Sequence, residues 1–256
     1  MANEVTGVYG AFLRDLEARR IPVAEEIHPY TLNNGGVLGN VECPLCNNTG
    51  RIITKDGLNL HVVECKCMNV RRSKKRLKES GLIELIDEYS MQTFSTSDQW
   101  TNWAKSKANE YVDAAKGWFY IHGIPGSGKT HLCTAICSEL MQKGKIIRYV
   151  IWPDLVKDLN SVVNDFQYNY MVNGLKNADV LYIDDFLKGN ATEAEAKRAF
   201  DVINARYNAP SKKTIISSER GLNYVADIDP AVAGRINQRS RGFYIKTPNK
   251  DWRLSS

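Results

Sequence analysis

Gly123-Ile124-Pro125-Gly126-Ser127-Gly128-Lys129-Thr130 decides the fold of this chain. It meets the pattern G-x-x-x-x-G-K-[ST] at every fixed position. Trp118-Phe119-Tyr120-Ile121-His122 precedes it as a short apolar and aromatic run, which reads as a buried strand. From His131 to Leu140 apolar residues recur at helical spacing. Strand, glycine loop and helix form the geometry of a phosphate cradle. The glycines let backbone N–H groups turn toward the phosphates, and the helix N-terminus adds partial positive charge. The predicted cradle comprises Gly123, Pro125, Gly126, Ser127, Gly128, Lys129, Thr130 and His131. Lys129 is expected to reach the β- and γ-phosphates, and Thr130 to hold Mg²⁺.

Downstream, Lys145–Ile151 reads as a strand and Pro153–Val163 as a helix, with Pro153 suited to its first position. Phe166–Leu175 reads as a helix or a loop. Asp179-Val180-Leu181-Tyr182-Ile183-Asp184-Asp185 is an apolar strand ending in two carboxylates. At such a strand end Asp184 suits the magnesium shell, and Asp185 can polarise an attacking water. Glu193–Tyr207 follows as a helix, Lys213–Ser218 as a strand, Pro230–Ile236 as a helix and Gly242–Lys246 as a last strand. The alternation predicts an α/β fold: a parallel sheet flanked by helices, with nucleotide at the C-terminal edge of the strands.

The chain has 256 residues, which fits two unequal domains. No apolar run long enough to span a membrane is present, and Met1-Ala2-Asn3-Glu4 lacks the features of a signal peptide, so a cytoplasmic protein without membrane partners is expected. The net charge is +5. Residues 1–90 balance 12 basic against 12 acidic side chains, whereas residues 91–256 carry 22 against 17. Within the balanced part, Lys66–Lys78 holds seven basic residues and no acid. That run reads either as a solvated helix face or as a contact with nucleic acid.

The N-terminal part has its own chemistry. Residues 8–20 place Val8, Phe12, Leu13 and Leu16 on one helical face. Cys43-Pro44-Leu45-Cys46 and Cys65-Lys66-Cys67 flank two strand-like runs, Gly50–Thr54 and Leu60–Glu64, joined around Asp56-Gly57. A hairpin of this kind can bring Cys43, Cys46, Cys65 and Cys67 together as four thiolates around tetrahedral Zn²⁺. His61 is a possible substitute ligand, and unrelated free thiols are the bland alternative. With four protein ligands the site is structural, since no position is left for substrate. Val70–Leu85 reads as a basic helix and connector, and Tyr89, Phe94 and Trp100 lie at the seam before a helix over Asn102–Lys116.

In order and spacing, these features resemble the DnaC/DnaI-type replicative helicase loaders of bacteria and phages, a branch of the AAA+ ATPases. The resemblance covers nearly the whole chain. It rests on the paired cysteines and basic helix, Gly123–Thr130, Leu181–Asp185, Thr214–Glu219, Gly234-Arg235-Ile236 and Asp251-Trp252-Arg253. It implies a zinc-binding, helicase-interacting domain over residues 1–80, an AAA+ ATPase over 81–256, and no C-terminal lid domain. Ser217-Ser218-Glu219 falls at the sensor-1 position. Relatives often carry Asn where Glu219 stands, which leaves Ser218 and Glu219 as the alternatives for the sensor. Arg235 matches the arginine finger that enters a neighbouring subunit's site, and Arg253 matches the sensor-2 arginine. Arg206 is a further candidate for acting across an interface. The implied partners are a hexameric DnaB-type helicase, single-stranded DNA and further copies of the chain. The implied cofactors are ATP, Mg²⁺ and Zn²⁺. A transposition helper ATPase of the IstB type is the alternative, because it shares the core. A small-molecule P-loop kinase and a non-enzymatic zinc module fit less well.

Overall fold

The computed structural model describes residues 43–46, 49–56, 59–69, 71–72, 85–86 and 88–254. The helix expected over residues 8–20, and most of the basic segment after Lys66, lie outside them. The chain divides into two compact units, Met1–Lys75 and Arg76–Ser256.

In the first unit, β1 (Arg51–Asp56) pairs antiparallel with β2 (Asn59–Glu64), Arg51 opposite Glu64 and Asp56 opposite Asn59. Its buried cluster is Cys46, Ile52 and Cys65, with Cys43 and Cys67 packed against it. Alternation is weak: four successive residues of β2, His61 to Glu64, are exposed. A two-stranded hairpin burying so little is marginal in water without further support.

In the second unit, α1 (Gln99–Asp113) has its N-terminus closed by a capping box. Asp98 accepts from the Thr101 N–H, and the Thr101 side chain reaches back to the cap. Then come β3 (Trp118–His122), α2 (Lys129–Gln142), β4 (Ile147–Ile151), α3 (Trp152–Ser161), α4 (Asp165–Asn177), β5 (Val180–Asp184), α5 (Glu193–Tyr207), β6 (Lys213–Ser218), α6 (Leu222–Ile228), α7 (Pro230–Arg239) and β7 (Tyr244–Lys246). A 3-10 turn covers Trp252–Leu254. All ladders are parallel, in the order β4-β5-β6-β3-β7. Strands β3, β5 and β6 are buried along their whole length, as a sheet covered on both faces requires. On one face Trp118, Tyr120, Leu181 and Ile183 pack with Trp152, Leu155, Val202 and Ile236. On the other, Phe119 meets Tyr111 of α1 at 5.4 Å between ring centroids.

Several expectations are adjusted. Helix α1 covers Gln99–Asp113 rather than Asn102–Lys116, with Asp98 as its cap, and α3 starts at Trp152, so Pro153 stands second rather than first. Strand β4 begins at Ile147 rather than Lys145, because the end of α2 claims the preceding backbone. Gly144 takes φ +77, its N–H reaches Met141 O at 2.9 Å, and the Lys145 N–H reaches Leu140 O at 3.0 Å. That closes the helix in the manner of a glycine C-cap. The segment around Phe166–Leu175 is a helix, started by Asn164, whose side chain accepts from the Gln167 N–H at 2.8 Å.

Candidate nucleotide site and cysteine cluster

The phosphate loop leaves β3 and enters α2 through residues whose backbones are set for it. Gly128, at the helix N-cap, has φ +86, and Gly126 has φ +72. A Cβ on Gly126 would lie 1.8 Å from Asp251 Oδ1, so a side chain there would combine a left-handed backbone with displacement of the Asp251 carboxylate. The Gly123 N–H donates to Ser218 O at 3.2 Å, tying the loop to β6. Ser127 Oγ donates to Ile124 O at 2.7 Å and accepts from Thr247 Oγ1 at 2.9 Å.

Lys129 is buried, and its ammonium donates to Gly123 O and Ile124 O, both at 2.8 Å. Burial lowers its pKa, while the charges of Glu219, Asp185 and Asp184 act in the opposite direction. A desolvated ammonium at a helix N-terminus, held by loop carbonyls, is a site built for an anion. A cavity of about 360 Å³ opens beside it. Gly126, Ser127, Gly128, Lys129, Thr130 and His131 line one side, and Leu85, Tyr89, Trp252 and Arg253 line the rest. The donor set and the glycine clearance fit a nucleotide phosphate chain.

At the end of β5, Asp184 is buried and its carboxylate is clamped. Ser217 Oγ and the Asp185 N–H, the latter at 3.1 Å, donate to Oδ1, and Tyr149 OH donates to Oδ2 at 3.2 Å. Burial, followed by the Asp184 charge, pushes the Tyr149 phenol up, so it stays a donor. Asp185 has φ +56, and its Oδ2 lies 2.9 Å from Lys188 Nζ. Asp184 with Thr130 could hold a divalent cation, since both offer hard oxygens.

The other anticipated residues divide. Arg253 lines the cavity and is held by Asp251, with Nε to Oδ1 at 3.0 Å and a terminal nitrogen to Oδ2 at 2.8 Å. The Trp252 N–H donates to Gly126 O at 3.0 Å, which docks this turn on the phosphate loop. Ser218 is fully buried, and its hydroxyl donates to Phe186 O at 2.7 Å. Glu219 pairs with Lys188 at 3.7 Å, and its charge, with those of Asp185 and Asp184, favours the charged form of Lys129. Arg235 does not line the cavity; its guanidinium lies over Phe200 at 5.0 Å and Tyr207 at 5.6 Å. Among the described residues it makes no hydrogen bond or ion pair.

The interface reading of Arg206 is overturned. Arg206 is fully buried and donates to Thr214 Oγ1 at 3.0 Å, to Leu175 O at 3.0 Å, to Lys176 O and Ala178 O at 2.8 Å, and to Lys213 O. It satisfies carbonyls at the end of α4, which otherwise lack intrahelical donors. Of the seam aromatics, Phe94 is buried and Trp100 Nε1 donates to Lys246 O at 3.1 Å. Tyr89 lines the cavity and stacks on His131 at 4.8 Å. Motif reading missed Tyr149 and Lys188. Tyr149 carried only the signal of a polar-tipped aromatic in a strand beside the Asp184 strand.

In the first unit, Cys43, Cys46, Cys65 and Cys67 place their sulfurs within 4.8 Å of one another. Cys43–Cys65 is 3.7 Å and Cys46–Cys67 is 3.2 Å. Tetrahedral ligation with Zn–S near 2.3 Å places sulfurs about 3.8 Å apart, so the set fits zinc. Cys46 turns back on Cys43 O at 3.2 Å, and the Cys65 N–H donates to Gly50 O at 2.9 Å. Burial pushes the Cys65 thiol up to about 11. Burial also opposes the Cys46 thiolate, but hydrogen bonds from Cys67, the backbone at Gly50 and the other cysteines hold it below the usual thiol range. His61 is exposed on β2 and is not part of the cluster.

A family profile described as IstB-like ATP binding protein matches residues 63–229, which takes in the phosphate loop, Asp184 and Asp185. The chain belongs to the IstB-like ATP-binding family. It is 30% identical over 220 residues to the Phage-like element PBSX protein XkdC of Bacillus subtilis (strain 168), covering 80% of this chain and 81% of that protein. The Replicative helicase loader DnaC of Escherichia coli (strain K12) is 31% identical over 143 residues, covering 53% of this chain and 55% of DnaC. The chain thus spans little more than half the length of that relative. A crystal structure of the DnaC helicase loader superimposes with a TM-score of 0.57 over 64% of this chain and 99% of that one, at 19% identity. The family and the shared fold make this an AAA+ P-loop ATPase. Among the described residues no helix is long and apolar enough to cross a membrane.

Proposed function

We propose that this chain is an ATP-dependent loader, which binds a hexameric DnaB-type replicative helicase and helps place it on single-stranded DNA. The observation that carries this reading is the four-cysteine hairpin ahead of the ATPase. The family resemblance assigns such a domain to helicase loaders and not to transposition helpers. The relation to DnaC supports it. The cysteine unit, within residues 1–80, is assigned the helicase contact and one structural Zn²⁺. Residues 81–256 are assigned ATP binding and self-association.

Within the site, Lys129 and the loop N–H groups hold the phosphates, Thr130 and Asp184 hold Mg²⁺, and Asp185 polarises water. Magnesium supplies charge neutralisation at the transferring phosphoryl group. Arg253 contacts nucleotide in its own subunit, and Arg235 acts in a neighbour's site. The Ser218 hydroxyl is committed to Phe186 O, so Glu219 is the less buried polar side chain left at the sensor-1 position. DNA contact comes from basic side chains on the phosphates, with little base reading.

Co-purification with the replicative helicase of the host, with and without ATP, tests the reading. Retention of the hexamer in a nucleotide-dependent way is expected. Failure to retain it in either state sinks the loader. The family description keeps the transposition helper as the second reading, and retention of a transposase instead would select it.

A further inference from the structure

The turn after β5 is built with unusual care. Asp185 and Leu187 both take left-handed backbones, φ +56 and +52, which a branched side chain such as Leu187 rarely adopts. The neighbourhood holds them there. Phe186 and Leu187 are buried, the Phe186 N–H donates to Ser217 O at 2.9 Å, and Phe186 O accepts from Ser218 Oγ. The Lys188 N–H closes on Asp185 O at 3.1 Å, and Tyr224 OH donates to Gly189 O at 2.8 Å. Backbone strain of this kind persists only where the surroundings over-determine it.

The outcome is the placement of one ammonium. Lys188 Nζ lies 2.9 Å from Asp185 Oδ2 and 3.7 Å from Glu219 Oε1. The charges of Glu219, Asp185 and Asp184 each favour the charged form of Lys129, so the phosphate-binding lysine sits in the field of three carboxylates. The terminal phosphate of a nucleoside triphosphate brought beside Asp185 and Glu219 meets like charge, which disfavours binding. Lys188 is the described cation that pairs with both carboxylates.

We propose that Lys188 is the residue that lets the site accept a terminal phosphate beside Asp185 and Glu219, and through which it tells a nucleoside triphosphate from a diphosphate. This rests on reading the cavity beside Lys129 as the ATP site. Lys188 acts by positioning and neutralising the two carboxylates. A diphosphate ends one phosphate short of them and feels the change less.

The test titrates the full chain with a methylene-bridged ATP analogue and with ADP, each with Mg²⁺, by fluorescence or calorimetry. Lys188→Met should weaken the analogue about tenfold and ADP about twofold or less, as expected for a charge acting mainly on the last phosphate. Lys188→Arg should keep the parent preference. Glu219→Gln placed on Lys188→Met should recover most of the loss, because it removes the charge that needed compensation. Equal weakening of both nucleotides, no weakening, or failure of Glu219→Gln to restore the analogue overturns the proposal. Lys129→Ala separates the two levels. If it binds the analogue like the parent, the ATP-site reading itself fails. If it loses the analogue while Lys188→Met stays indifferent to the last phosphate, the role of Lys188 alone falls.

Discussion

The two units solve the same problem with different materials. The ATPase unit buries a broad apolar cluster on one face of its sheet, from Trp118 and Tyr120 through Leu181 and Ile183 to Val202 and Ile236. The hairpin unit has Cys46, Ile52 and Cys65 at its centre, while Val62 and Val63 stay exposed. Apolar burial stabilises by roughly 25 cal/mol per Å², so the few side chains buried among the described residues of the hairpin, Cys46, Ile52, Ile53 and Cys65, offset little of the ordering of two strands. In the first unit four sulfurs stand where the second has a core. Burial is non-directional and tolerates substitution of like for like. A thiolate cluster is stoichiometric and fails when one member is lost.

The largest effect follows from that contrast. Removing the metal, or introducing Cys46→Ser, should unfold the hairpin, since structural zinc in small domains contributes on the order of 10 kcal/mol. Amide exchange of β1 and β2 should rise to the unprotected rate, while the thermal transition of the ATPase unit and its nucleotide binding stay put. Metal analysis finding no bound metal in gently purified protein would remove the basis of the comparison.

A smaller effect comes from the polar tie inside the apolar unit. Arg206→Met keeps much of the volume but strips donors from the carbonyls of Leu175, Lys176, Ala178 and Lys213. A loss of about 3 kcal/mol is expected for leaving such groups unpaired, read as a lowered denaturation midpoint of the ATPase unit alone. A stability within error of the parent would mean that the surrounding packing carries the whole load.

The smallest structural effect concerns Arg235. Its contacts are the rings of Phe200 and Tyr207, so Arg235→Ala should cost less than about 1 kcal/mol of stability. Turnover should nonetheless fall roughly tenfold or more if the guanidinium serves a neighbouring site, as arginines supplied in trans do. Mixing Arg235→Ala with Lys129→Ala should recover turnover that neither has alone. A mixture as inactive as its components, with both still assembling, would return Arg235 to the surface.

Much of this was legible in the sequence. The loop motif fixed β3 and α2, and the apolar run Val180–Ile183 fixed β5, because a doubly covered parallel sheet reads as continuous hydrophobicity. Helix α5 has the bounds its periodicity indicated. The cysteine spacing led to a hairpin whose four sulfurs meet. What stayed hidden depends on contacts far apart in the chain. Asn204-Ala205-Arg206-Tyr207 looks like an exposed polar stretch, and nothing local reveals that carbonyls from α4 and β6 converge on Arg206. Ser218 ends β6 and Glu219 follows it, and only the Phe186 turn, whose carbonyl takes the Ser218 hydroxyl, tells the two apart. The clamp on Asp184 needed the register of three strands before Tyr149 and Ser217 could be paired with it.

The docking of the C-terminal turn on the phosphate loop has an optical consequence. Trp252 lines the cavity with Lys250 Nζ 3.7 Å above its ring, whereas Trp118 and Trp152 are sealed in the core. An indole at the rim of a site feels every charge that enters, through its excited-state dipole. The other four indoles, Trp100, Trp103, Trp118 and Trp152, form the background to it. The protein therefore carries its own emission probe of cavity occupancy, with no dye attached, and a Trp252→Phe variant supplies the blank.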